Sequence, residues 1–377
     1  MDPALDLLRA LVAIDSRNPS LVPGAPGEAA IAAYVADALR AAGLDVTMTE
    51  AAPGRPNVVG AAAGRSPGRT LMLCGHLDTV GVEGMVRPFE PVIRDGRLYG
   101  RGSQDMKGGL AAMIDAVRLV LRQGRLDQGR VVVACVIDEE LASLGTDALI
   151  RDWGADGAVV PEPTSLQIGV AHKGFAFIEI EAMGVAAHGS RPEEGRDAIF
   201  RMGRVIGLFE QLDRNLRSGP GHPLLGHASL HASRVEGGRE PSTYPDRCFL
   251  QIERRTLPEE PPDRPVREAE SLLAALKRQD AEFEGFARSS LSRPPYEISS
   301  SSELPQMLLA SCNAVSRPTS CVGLSFWTDA QILGSAGIPA VLFGPGGAGL
   351  HSIEEYVLVD EVLACRDALA DLIVRFC

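Results

Sequence analysis

The chain has 377 residues, 45% of them hydrophobic, enough for one large α/β domain or a principal domain with a smaller insert. Its 37 basic and 49 acidic residues leave a formal charge of −12, which disfavours nucleic acid and anionic membranes as partners unless a basic patch intervenes, and none is evident. Seven cysteines, an odd number with no CxxC pair, point away from a disulfide framework or a cysteine zinc site, and no apolar run approaches the roughly 20 residues that span a bilayer.

The opening MDPALDLLRALVAID sets acidic residues among periodic leucines, which predicts a first helix rather than a secretory leader; the expected location is the cytoplasm. Strand-like runs at residues 70–75, 131–137 and 156–160 alternate with a helical pattern at 106–122, predicting βαβ units and a mostly parallel sheet. Cys74 and Cys135 fall inside these strands and are expected to be inert core thiols. From Lys173 to Ser290 the order becomes strand, helix, strand, strand, helix, strand, the split βαβ (ferredoxin-like) pattern of two helices on four antiparallel strands. In its first helix Ile199, Met202, Val205, Ile206, Phe209 and Leu212 define one apolar face. SLSRPPYEISSSS closes the insert as a linker; a strand at Ile338–Phe343, a glycine loop and a helix from about Val359 then resume the sheet. The predicted fold is α/β: a catalytic domain of residues 1–172 and 291–377, interrupted by an inserted domain at 173–290.

Chemistry-bearing residues gather at strand ends. In LMLCGHLDTV, His76 and Asp78 share a face if the backbone is extended, so the carboxylate could orient a metal-bound imidazole, or the pair could simply hydrogen-bond at a strand terminus. Asp105, in YGRGSQDMKGG before a helix, suits a cap or a ligand. VVVACVIDEE ends in Asp138, Glu139 and Glu140, a concentration of charge that is costly without a cation. Glu162 in GAVVPEPT and His351 in GGAGLHSIEEY also follow strands. The carboxyl ends of parallel strands line one crevice, so these groups could converge there as a dinuclear site.

The blocks GHLDTV, GRGSQDMKGG, DEE, PEPT and GLHSIEEY, in this order and spacing, resemble the M20 family of metallopeptidases and deacylases over essentially the whole chain. The resemblance implies that His76 and Glu162 bind one divalent metal, Glu140 and His351 a second, and Asp105 both; zinc is expected, while cobalt and manganese suit the same donors. It further implies that Asp78 orients His76, that Glu139 is the general base acting on a bridging water and then on the leaving amine, and that Asp138 is solvated support. The insert would be a lid and homodimerisation domain whose His188 reaches across a dimer to the oxyanion, and Arg255 would grip a substrate carboxylate. Gly346 and Gly347 would let substrate approach the backbone, or form only a tight turn; Trp327 is pocket wall or core. His172, His222, His227 and His231 are expected to be structural. Many family members carry an asparagine before the Pro-Asp pair where this chain has Ser242, which puts substrate contacts in question. The implied activity is hydrolysis of N-acyl amino acids, as by acetylornithine deacetylase. A metallocarboxypeptidase releasing the C-terminal amino acid of short peptides is the alternative, and a non-catalytic ligand-binding homologue a third.

Overall fold

The computed structural model describes residues 2–377. In chain order its elements are α1 (Pro3–Ala13), α2 (Ala29–Ala42), β1 (Asp45–Ala52), β2 (Arg55–Ala63), β3 (Ser66–His76), β4 (Val92–Arg94), β5 (Arg97–Tyr99), α3 (Gly108–Arg122), β6 (Gln128–Val136), α4 (Leu144–Asp152), β7 (Gly157–Val160) and β8 (Ile168–His172). There follow β9 (Gly174–Met183), α5 (Ala198–Ser218), β10 (Ser229–Gly237), β11 (Arg247–Thr256), α6 (Arg264–Gln279) and β12 (Glu284–Arg293). The chain ends with β13 (Tyr296–Glu297), α7 (Glu303–Ala314), β14 (Cys321–Leu324), α8 (Ala330–Ser335), β15 (Ala340–Leu342), β16 (Gly347–Ala348), β17 (Tyr356–Leu358) and α9 (Val359–Phe376).

Two compact units divide the chain. The first runs to Val170 and resumes over Ile298–Val322 and Thr328–Cys377; the second takes Ala171–Glu297 and Gly323–Trp327. Residues 290–293, which the sequence suggested as linker, belong to β12, where they pair with β9.

In the first unit the sheet order begins β1-β2-β6-β3-β7-β15-β8, and its centre is parallel: β3 runs parallel to β6 and β7, and β15 to β7. The flanking β1, β2 and β8 are antiparallel to their neighbours. Leu71–His76, Val131–Val136 and Gly157–Val160 are buried without alternation, as strands covered on both faces must be. Helix α3 packs on α9, α1 and α2, and α4 on α8. Asp2 caps α1 by accepting the Ala4 N–H ahead of Pro3, and α2 stops at Gly43 with φ 95°. Because β3, β6, β7 and β15 point the same way, His76, the 138–140 run, Glu162 and the loop bearing His351 all follow strand ends on one side of the sheet. A small sheet, β16-β17-β5-β4, supports that last loop.

The second unit is a four-stranded antiparallel sheet of order β10-β11-β9-β12, with α5 and α6 against it. The apolar face of α5 is narrower than its periodicity suggested. Met202, Val205 and Phe209 are buried, whereas Ile199 and Ile206 are exposed. Ile199 and Ile206 sit at one edge of that face, where the sheet does not cover them.

All seven cysteines are free; burial pushes the thiols of Cys74 and Cys135 up, so both stay protonated in the core. Among the described residues no helix is long and apolar enough to cross a membrane.

Candidate metal centre

At the end of β3 the His76 ring is almost fully buried. Its Nε2 lies 3.1 Å from Asp105 Oδ1 and 3.8 Å from Glu162 Oε1. Its Nδ1 is 3.0 Å from the Asp78 carbonyl and 3.6 Å from the Asp78 carboxylate, so the backbone is its nearer partner. The other Asp105 oxygen faces a second imidazole: Oδ2 is 3.5 Å from His351 Nε2, which is also 3.1 Å from Glu140 Oε2. One carboxylate thus presents an oxygen to each histidine.

Among the described residues, ligand atoms within 4.8 Å of one another form two groups, His76–Glu139–Glu162 and His76–Asp105–Glu140. Distance alone therefore places Glu139 among the donors as readily as beside them. Glu140 Oε1 and Glu162 Oε1 are buried and accept no hydrogen bond, an arrangement that costs several kcal/mol per ion unless a cation or proton compensates. Nitrogen and carboxylate donors, a carboxylate with one oxygen toward each histidine and two orphaned buried oxygens fit a pair of divalent cations.

The electrostatics agree with this crowding. Burial, then the charge of Glu162, raises the Glu139 carboxyl well above its usual range, and burial with Asp105 does the same to Glu162. Burial and the Asp105 charge lift Glu140 to about 7. Asp105 is held low despite burial by hydrogen bonds from His351 and His76. Those bonds raise the partners: His351 is lifted to about 10 by Asp105 and Glu140, and His76 rises because Asp105 and Asp78 outweigh its burial.

Residues 72–375 match the model of peptidase family M20/M25/M40. The chain belongs to this family. It is 30% identical to acetylornithine deacetylase of Myxococcus xanthus, covering 100% of this chain and 99% of that protein. It is 31% identical to succinyl-diaminopimelate desuccinylase of Gluconacetobacter diazotrophicus (99% and 97% covered), and 29% to N-formyl-4-amino-5-aminomethyl-2-methylpyrimidine deformylase of Bacillus subtilis (94% and 91%). The fold matches an M20 metallo-carboxypeptidase from Sulfolobus solfataricus with a TM-score of 0.81 at 19% identity (100% and 99% covered). It also matches a dinuclear metal-binding M20 peptidase from Bacillus subtilis, with a TM-score of 0.73 at 16% identity (99% and 97%).

Within this family member, a network of further polar groups surrounds the donors. Asp78 does more than face His76: its Oδ1 accepts the Glu139 N–H and its Oδ2 the Glu140 N–H, each at 3.2 Å, fixing the backbone of both. Asn18 joins Asp78 to Asp138 at 2.8 and 3.0 Å, and Arg55 joins Asp138 at 2.9 Å while gripping Glu28 with Nε and Nη2. Asp138 is therefore not solvated: it is buried because Arg55 and Asn18 satisfy one of its oxygens. Asp329, buried and bonded by Thr146 at 2.6 Å, is raised to about 6 by burial despite that bond. Glu355 and Arg101 lie under the Asp105 segment. None of these partners is adjacent in sequence to what it supports, and an isolated Asp, Glu or Arg carries no signal of such a role.

At Gly346 and Gly347 the chain's own packing leaves no room for a side chain. A Cβ at Gly347 would sit 2.0 Å from the Tyr356 carbonyl, and one at Gly346 would sit 2.5 Å from Ser165 Oγ and 2.8 Å from Glu361 Oε2. In the second unit, His188 is exposed, with Nδ1 2.8 Å from Ser190 Oγ. Arg255 pairs with Glu253 at 2.6 Å and lies 5.7 Å from the centre of the Phe175 ring. Ser242 acts through its backbone, its carbonyl accepting the Gly189 N–H at 2.7 Å. Trp327 is core: it is nearly buried, edge-on to His172 and Phe175, and donates to the Pro294 carbonyl at 3.1 Å.

Proposed function

We propose that this M20 family member is a dinuclear, zinc-dependent amidohydrolase that removes the acyl group from an N-acyl amino acid, as acetylornithine deacetylases do. The observation that carries the reading is Asp105 with one oxygen toward His76 and the other toward His351, beside the orphaned oxygens of Glu140 and Glu162. His76 and Glu162 would hold one cation, Glu140 and His351 the other, and Asp105 both. Such a pair supplies Lewis-acid polarisation of the amide carbonyl and lowers the pKa of the attacking water toward about 7.

Asp78 positions His76 and, through its two backbone bonds, the adjoining glutamates. Glu139 takes the proton from the attacking water and returns it to the leaving amine; burial beside Glu162 raises its proton affinity, as that double duty requires. His188 is assigned to the oxyanion and Arg255 to a substrate carboxylate, the latter after sharing its guanidinium with Glu253. Pairing of two chains through the second unit is supported by exposed Ile199, Phe200 and Ile206 on α5 and Val235 on β10. Seven free cysteines accord with a cytoplasmic location.

The relatives named for cleaving acetyl, succinyl and formyl amides favour a deacylase over a carboxypeptidase. The test is a panel of N-acetyl, N-succinyl and N-formyl amino acids and short peptides offered to the zinc-loaded protein, with Glu139→Gln alongside. The expected result is release of free amino acid from one acyl class, with kcat lower in the variant by about 10²–10⁴-fold and metal content unchanged. Cleavage confined to peptides would select the carboxypeptidase, and equal rates for variant and wild type would remove Glu139 from the mechanism.

A further inference from the structure

Glu355 is buried and is not among the donor groups, yet its carboxylate accepts four hydrogen bonds. Oε1 receives the backbone N–H of Gln104 at 2.8 Å and of Asp105 at 3.1 Å; Oε2 receives that of Gly102 at 2.9 Å and Arg101 Nη1 at 2.7 Å. Arg101, equally buried, directs its other donors elsewhere, Nε to the Gly81 carbonyl and Nη2 to the Ser352 carbonyl, both at 2.9 Å. One ion pair therefore ties together the turn at Gly81, the segment carrying Asp105 and the loop carrying His351.

That loop needs an anchor. Residues 350–354 are all exposed, and His351 itself has a left-handed backbone with φ 58°. Apart from the loop's own Ser352 N–H to the Gly349 carbonyl at 2.9 Å, the ties beside it are the Arg101 bond to Ser352 and the Glu355 main chain, whose carbonyl accepts the Gly100 N–H at 3.1 Å. On the other side, Asp105 donates its own N–H to Glu355. The separation of Asp105 from His351 is thus spanned by the Arg101–Glu355 pair.

We propose that Arg101 and Glu355 are positioning residues for the metal centre, a buried clip between the Asp105 and His351 segments that sets the geometry of the cation shared by Asp105, Glu140 and His351. The inference rests on Asp105 and His351 being ligands. Glutamine at 355 keeps the shape but turns one acceptor oxygen into a donor, so either the backbone amides or the guanidinium loses its partner. Lysine at 101 keeps the charge but cannot direct a planar fork at three acceptors.

The experiment titrates metal-free wild type, Glu355→Gln and Arg101→Lys with Co(II), following the visible absorption of the bound ion, with circular dichroism of the metal-free forms as the check on folding. Wild type is expected to take two equivalents. Both variants should bind one equivalent about 10–100-fold more weakly with an altered band and the other, which depends on the clip through Asp105 alone, clearly less weakly, and excess metal should restore turnover. Binding of both equivalents within about twofold of wild type overturns the clip and leaves the ligands standing; equal weakening of both, the sign of general loosening, also overturns it. A wild type that does not take two equivalents overturns the clip and the metal-centre reading together. Should Glu355→Gln fail to fold, Arg101→Lys carries the comparison.

Discussion

Glu162 is held in the centre at a cost to the fold, because burial and the charge of Asp105 both oppose its ionisation and one of its oxygens accepts no hydrogen bond. Glu162→Gln should therefore raise the melting temperature of the metal-free protein while abolishing most of the rise that zinc produces in wild type. Differential scanning calorimetry with and without zinc checks this, and an unchanged zinc response would remove Glu162 from the ligand set. In the second unit, burial depresses His172 to about 4 and outweighs its bond to the Lys173 carbonyl, so the ring is neutral in the fold. Between about pH 6.5 and 4 the unfolded chain binds the extra proton. The contribution of His172 is therefore present above pH 6.5 and is lost as pH falls toward 4, by at most about 1.4 kcal/mol per pH unit. His172→Gln should lack that part of the dependence; a stability difference from wild type that stays constant from pH 7 to 4 would contradict the assignment.

At the scale of elements, α3 approaches the loop after β7 so closely that a Cβ on Gly109 would sit 2.0 Å from the Pro161 carbonyl, one residue before Glu162. In an open helix Gly→Ala stabilises by about 1 kcal/mol. Here Gly109→Ala should instead cost about 1–3 kcal/mol and weaken zinc retention, because either the helix or the Glu162 loop must move. Urea unfolding decides the sign, and a variant more stable than wild type would show that the contact relaxes freely. The same elements show what sequence can and cannot convey. Strands β3, β6 and β7 were legible because each is a continuous apolar run, and α9 because it begins at Val359 where the periodicity resumes. The core face of α5 was misjudged at Ile199 and Ile206 because periodicity gives the width of an apolar face and does not say how much of it a sheet covers. Return of Gly323–Trp327 to the second unit depends on contacts far apart in sequence, such as Trp327 with Pro294, and left no local trace.

For the whole molecule, the residues that bear chemistry were readable because they follow strand ends, while their supports, Arg55, Arg101, Asp329 and Glu355, were not, since a lone charged residue looks the same on a surface as beneath a site. What unites them is a first unit that gathers several buried carboxylates and two histidines at one side of a parallel sheet. The measurement that tests this account most directly is hydrolysis of an N-acyl amino acid as chelated protein is reloaded with zinc. The account predicts no turnover in the chelated protein and a rise that ends at two equivalents of zinc per chain. Turnover that survives chelation, or that is complete at a single equivalent, would contradict it.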